Sequence, residues 1–283
     1  MGQAQEHRRA TGDVVHLCDE INGFRGYSGK DSLWWPPQQG PIPTLLLGLN
    51  VLAAAAAADD AALAPVAGFP RHAPRLSAIA ARVRTVAERR FWDESKGRYA
   101  ASILPDGTLV DHHPLIDLYA LRFGLVPPAK RERLAALLAL ELGPERARRE
   151  DWPCSVLGSY HHLLETMFEH GRAREAVELI RILFGTWLKH GGTAMPEGYG
   201  PYHFAASGGS GYDIEVHAYG LGALALFHTR LLGVQPAEPG YARVRIAPCP
   251  GGLAWARGTT HTPQGLVHRS EERRVGKECR SRW

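Results

Sequence analysis

One carboxylate, Glu197, stands in the run Gly191-Gly192-Thr193-Ala194-Met195-Pro196-Glu197-Gly198-Tyr199-Gly200-Pro201-Tyr202, a glycine-bounded loop crowded with aromatic rings. Helical patterns precede and follow it, so the loop is held at both ends, which is the setting a general acid or base needs. Tyr199, Tyr202 and His203 share its surroundings, and His217, at the start of the next helix, either lines the same pocket or contacts the first turn. Trp34 and Trp35 follow Asp31 in an aromatic loop whose rings either offer flat apolar faces to a ligand or pack beneath the loop. In Asp111-His112-His113 the side chains either hydrogen-bond ligand hydroxyls or, through Asp111, cap the helix that follows. The pair His161-His162 falls inside a helical pattern and reads as structural. No His, Cys, Asp or Glu grouping has metal-ligand spacing and no glycine-rich phosphate loop is present, so the expectation is a site without a cofactor or a metal.

The elements that would carry these residues are mostly helices. Apolar residues recur at three and four positions, predicting helices over Pro43–Ala58, Pro74–Phe91, Pro114–Phe123, Ala129–Leu142, Ser159–His170, Arg172–His190 and His217–Leu232. The clearest stripe comprises Ala173, Ala176, Val177, Ile180, Leu183, Phe184, Trp187 and Leu188. Successive helix pairs with more apolar surface than one pair can hide must stack side by side, and a toroid of helical hairpins is the natural closure. The fold class expected is therefore mostly α. After Gly233 the period becomes alternating, through Tyr241 and Arg243–Ile246, then Leu253–Arg257, with a third strand after Gly265. Residues 1–235 are read as part of the toroid, and 236–268 as the start of a β-domain that needs further strands for stability.

The closing residues 269–283 break from this composition. Arg269-Ser270-Glu271-Glu272-Arg273-Arg274-Val275-Gly276-Lys277-Glu278 reads as the in-frame translation of a short-read sequencing adapter, so the tail is set apart as non-native. It carries six Lys/Arg and three Glu, hence three of the four net positive charges, leaving a body of net charge +1. A near-neutral body gives no ground for a nucleic-acid partner and favours an uncharged ligand. Outside the tail, Cys18, Cys154 and Cys249 are too widely spaced for a disulfide framework. Met1–Gly12 lacks the pattern of a leader, and the apolar run Val51–Ala58 falls short of the roughly 20 residues that cross a bilayer. A soluble protein in the cytoplasm, with no membrane partner, is the default expectation. Ala-rich helices and Arg in preference to Lys fit a GC-rich bacterial gene.

Several segments also follow one another in a telling order: Phe91-Trp92-Asp93-Glu94 with Gly97 and Tyr99, Leu121-Arg122-Phe123-Gly124-Leu125-Val126-Pro127, and Val156–Tyr160 through His170-Gly171. Gly191-Gly192-Thr193 to Glu197 comes next, then Ile214-Glu215-Val216-His217, then Leu232–Pro236 leading to Pro239-Gly240-Tyr241 and Ile246-Ala247-Pro248. From about Phe91 to Val267 this run resembles the C-terminal part of the six-hairpin glycosidases, most closely the α-L-rhamnosidases of glycoside hydrolase family 78. The resemblance implies an (α/α)6 toroid followed by a β-sandwich, inverting hydrolysis of a terminal sugar from a small glycoside, and Glu197 as the general base. Pro196 stands where that family has Trp, and Val216 where it has Asn. The family's general acid lies on an Asp/Arg/Glu-rich segment upstream of the helix at Pro43, which is not found here, so this fragment is expected to be inactive alone. Another six-hairpin enzyme, acting on glucosides or fucosides, and a non-catalytic sugar-binding toroid are the alternatives.

Overall fold

Residues 45–104, 106–149, 152, 157–189, 193 and 222–272 are described by a computed structural model, in which helices prevail up to the strands that begin at Val234. The chain divides into two units, Met1–Leu138 and Ala139–Trp283.

In the first unit a short strand β1 (Leu45–Leu46) leads into helix α1 (Leu47–Leu63). The helix predicted from Pro43 thus starts later, because Leu45 and Leu46 pair with Ile103 and Ser102 instead. It also runs past Ala58, since Ala and Leu continue to favour helix through Leu63. Asn50 is buried and donates its side-chain amide to the Leu46 carbonyl at 2.7 Å, so its polar group has a partner inside the core. Helix α2 (Ala73–Phe91) carries a proline in its first turn, where no N–H is lost from the ladder. Its buried positions Ala80, Val83 and Ala87, like Val51, Ala54 and Ala61 of α1, are small, which lets the two helices pack closely along their lengths.

Between α2 and the next helix lie strands β2 (Trp92–Asp93), β3 (Arg98–Tyr99), β4 (Ser102–Ile103) and β5 (Leu109–Val110). β2 and β3 form an antiparallel pair, and β1, β4 and β5 form a three-stranded antiparallel sheet in the order β1-β4-β5. Sequence patterning predicts none of them, because alternation shows only over about four residues or more. Helix α3 (Pro114–Arg122) is buried at every position from Pro114 to Leu121, so it is a core helix with no wet face. Helix α4 (Pro128–Leu142) crosses the boundary between the units.

The second unit opens with a short helix α5 (Pro144–Ala147), followed by α6 (Leu157–Glu169) and α7 (Ala173–Lys189). The α6–α7 hairpin buries Tyr160, Leu163, Leu164, Met167 and Phe168 against Ala173, Ala176, Val177, Leu179 and Leu183. Leu188, placed on the buried stripe by periodicity, is 67% exposed because it sits in the last turn beyond the packed region. Trp152 stacks on Tyr160 at 5.6 Å and donates its indole N–H to the Leu142 carbonyl at 3.3 Å. Helix α8 (Gly222–Leu226) widens into a π-turn at Phe227–Leu231.

The change from helix to strand follows Gly233, where the period changes, and the first strand comes earlier than the alternating segments from Tyr241 onward. β6 (Val234–Pro236) pairs with β7 (Val244–Ile246), and β8 (Trp255–Thr262) with β9 (Gly265–Glu272), both antiparallel. Gly233 makes the corner with φ 69°, and a Cβ there would meet the Ala247 carbonyl carbon at 2.2 Å, so both its backbone angle and its surroundings demand glycine. Leu232, Val234 and Ala256 form a small core with Tyr241, Ile246 and Val267 packed against it. Arg269–Glu272, within the stretch set apart by composition, supply the last rungs of β9 opposite Trp255–Gly258. Ladder bonds use backbone groups, and here the Arg269 and Glu271 side chains are in addition buried and paired with each other. No helix among the described residues is long and apolar enough to cross a membrane.

Candidate functional site

Of the residues selected from sequence, Asp111 and His113 lie within the described structure. Glu197, Tyr199, Tyr202, His203, His217, Asp31, Trp34 and Trp35 lie outside the described residues. The loop Asp111-His112-His113 joins β5 to α3, and its conformation is fixed from three directions.

The first fixing point is the β2–β3 turn. Asp93, at the end of β2, accepts hydrogen bonds on Oδ1 from Ser95 N at 2.9 Å, Ser95 Oγ at 2.6 Å and Lys96 N at 3.3 Å. A carboxylate that gathers donors in this way closes a tight turn. The turn is completed by Gly97 at φ 64°, where a Cβ would strike the Arg133 guanidinium at 2.2 Å. The other oxygen of Asp93 lies 2.9 Å from His112 Nε2, and Lys96 Nζ lies 2.8 Å from His112 Nδ1. Lys96 can only donate, so Nδ1 must be the acceptor and Nε2 carries the hydrogen, close to Asp93 but not aligned for a hydrogen bond. Hydrogen bonds from Ser95 foremost hold the Asp93 carboxyl below its usual range. Burial, then the Lys96 charge, push the His112 pKa down, while Asp93 pulls it the other way.

The second point is β3. Arg98 donates to Asp117 Oδ2 from Nε at 2.8 Å and Nη2 at 2.6 Å, while Tyr99 N donates to Asp117 Oδ1 at 3.0 Å. Asp117 is fully buried on α3, so this pair joins the hairpin to the core helix through a desolvated ionic bond. Lys130 adds a further contact to the hairpin, 3.9 Å over the Trp92 ring and 2.7 Å from Glu88.

The third point is the start of α3. His113 is its N-cap, accepting from Leu115 N on Nδ1 at 3.2 Å. The expectation that Asp111 caps this helix is therefore corrected. Asp111 sits two residues too early to reach the free N–H groups, and its carbonyl instead accepts Ala101 N at 2.8 Å. Asp111 adopts φ 59°, the left-handed region that costs an ordinary residue about 1 kcal/mol and Asp less than most. Its side chain is exposed, yet the protein around it desolvates the carboxyl enough to raise its pKa against the pull of His112 and His113.

Sequence reasoning passed over Asp93 and Lys96 as functional groups. The signal was the spacing Asp93-x-Ser95-x-Gly97, which marks a carboxylate-closed turn rather than a free acid. In the second unit His161, read as structural, approaches the Gly222 carbonyl with Nδ1 at 3.2 Å and so ties α6 to α8. Among the described residues no group of three or more His, Cys, Asp or Glu could hold a metal ion.

Comparison with known proteins bears on both halves of the chain. Residues 233–279 match the family described as the bacterial alpha-L-rhamnosidase C-terminal domain. The match takes in β6 to β9 and extends into the residues that composition sets apart. The fold is shared with a family 78 rhamnosidase of Bacillus sp. GL1, at a TM-score of 0.70 and 23% identity, over 84% of this chain and 25% of that one. It is shared also with the Streptomyces avermitilis alpha-L-rhamnosidase solved with L-rhamnose, at a TM-score of 0.63 and 21% identity, over 81% and 21% of the two chains. The alpha-L-rhamnosidase of Dictyoglumus thermophilum gives a TM-score of 0.60 and 17% identity, over 77% and 24%. The chain thus spans about a quarter of the length of these proteins. Comparison with curated protein sequences gives no significant match.

Proposed function

We propose that this chain is part of an inverting α-L-rhamnosidase-like glycosidase, its helices belonging to an (α/α)6 toroid and Glu197 serving as the general base. The observation that carries the reading is that a sequence likeness and a structural likeness in one chain point to the same enzymes. A rhamnosidase-type C-terminal segment follows directly on helices that share the fold of solved rhamnosidases. In an inverting enzyme one carboxylic acid protonates the leaving oxygen while a second, ionised carboxylate activates a water on the opposite face of the sugar. Glu197 is the second of these. Tyr199, Tyr202, His203 and His217 contribute to the pocket around the base, and Trp34, Trp35, Asp31, Asp111 and His113 to the binding of sugar hydroxyls and ring faces. The substrate is a small neutral glycoside, in keeping with a near-neutral body.

The test is Glu197→Gln in the complete protein, assayed on an aryl α-L-rhamnoside. Turnover is expected to fall by about 10²–10⁴-fold with sugar affinity little changed. Turnover at the parent level would remove Glu197 as the base. Proton NMR of the first-formed sugar, showing the inverted anomer, would support the inverting course.

A further inference from the structure

The Asp93–His112–Lys96 chain has no evident purpose as a core contact. The helix it adjoins already has its cap in His113 and its ionic tie in Asp117. It acts on the loop. With the Asp111 carbonyl bound to Ala101 N on one side and His113 capping α3 on the other, the ring of His112 between Asp93 and Lys96 leaves the backbone at Asp111 no freedom. The residue so held is non-glycine in a left-handed conformation, and its carboxylate forms no hydrogen bond or ion pair among the described residues. Strain at a residue whose side chain makes no hydrogen bond or ion pair among the described residues points to a role for that side chain outside the fold.

We propose that His112 is a positioning residue, which by bridging Lys96 and Asp93 fixes Asp111 so that its carboxylate is presented to the hydroxyl groups of a neutral sugar. This rests on the reading of the chain as a sugar-acting protein. A fixed carboxylate accepts two vicinal hydroxyls without the entropy loss of ordering a mobile side chain. The charged groups facing the His112 ring are Lys96 and Asp93 from the β2–β3 turn and Arg98 from β3, with Asp111 beside it on its own loop. Protonation of His112 would turn its Nδ1 from acceptor to donor opposite the Lys96 ammonium, and so release one side of the bridge.

The experiment is an NMR titration of the 283-residue chain with L-rhamnose, in parent, Asp111→Gly, Asp111→Asn, His112→Gln and Lys96→Met forms. Rhamnose is expected to shift the amides of Asp111–His113, and Asp111→Gly to bind at least about tenfold more weakly although glycine relieves the backbone. His112→Gln and Lys96→Met are expected to weaken binding several-fold while the chain still folds. Parent affinity should decline as the pH falls below 6.5, and that decline should be absent in His112→Gln. A turn-forming role alone predicts that Asp111→Gly binds as the parent does, and that result overturns the proposal. Shifts confined to other residues also overturn it but leave the glycosidase reading standing, whereas that reading falls separately if the complete protein hydrolyses no rhamnoside.

Discussion

The two hairpins β2–β3 and β8–β9 hold their shape by different means. The first has only two rungs, Trp92↔Tyr99 and Asp93↔Arg98, yet it is gripped by side chains: Asp117 on Arg98, His112 on Asp93 and Lys130 over Trp92. The second has eight rungs, from Trp255↔Glu272 to Thr262↔Gly265. Its inner face packs on the small core around Val234, while Trp255 and Leu266 on the outer face stay 64% and 55% exposed. A short hairpin can be as well defined as a long one when charged groups replace ladder bonds. The consequence is that the first should depend on side chains and pH more than its two rungs suggest, while the second adds the buried Arg269–Glu271 pair to its eight rungs.

The largest effect is expected from Asp117→Ala. It leaves Arg98 in a site where its side chain is only 12% exposed, and it strips Tyr99 N of its acceptor. Breaking a buried ionic pair from one side costs about 3–5 kcal/mol, so urea unfolding should shift by that amount. A loss below about 1 kcal/mol would mean that the rungs alone hold the hairpin.

An intermediate effect is expected from acid. Because the folded protein lowers the pKa of His112 beneath the ordinary 6.5, the unfolded chain binds the extra proton more readily. Stability from this group is therefore complete above 6.5 and is lost as the pH falls through the folded value. Asp93, also lowered, adds a second loss at more acid pH, below its ordinary 3.8. Hydrogen-exchange protection at Ser95–Arg98 should fall in that order, with the β8–β9 amides as internal reference, and protection constant between pH 7.5 and 5 would contradict the account. The smallest effect is that of Trp255→Ala on the exposed face of β8, expected within about 0.5 kcal/mol of the parent in the same urea assay.

The sequence made the long helices legible because apolar residues repeat over several turns in each, and the helix-to-strand change at Val234 because the period itself changes. Two-residue strands between Trp92 and Val110 carry no period to read, so they had to come from the structure. The π-turn at Phe227–Leu231 was equally hidden, since one extra residue in a turn leaves the apolar stripe nearly in place. At the site, the Asp111-His112-His113 loop was found from its residue types, but the division of labour within it was not. Which of three adjacent polar residues caps the helix depends on where the backbone turns, and the cap fell to His113. The grouping of Asp93 and Lys96 with His112 spans more than a dozen residues of sequence and follows from the hairpin register, which those short strands conceal.

Arg230 belongs to that same π-turn, and its guanidinium reaches Glu165 and, at 3.0 Å, Glu169 on α6, while its carbonyl accepts Cys249 N at 2.8 Å. One residue thus serves the helices with its side chain and the strands with its main chain. Anyone grafting the strand-bearing segment onto another helical scaffold would need to carry Arg230 with it and find a recipient helix bearing two carboxylates one turn apart. The segment is portable only as a set with its socket.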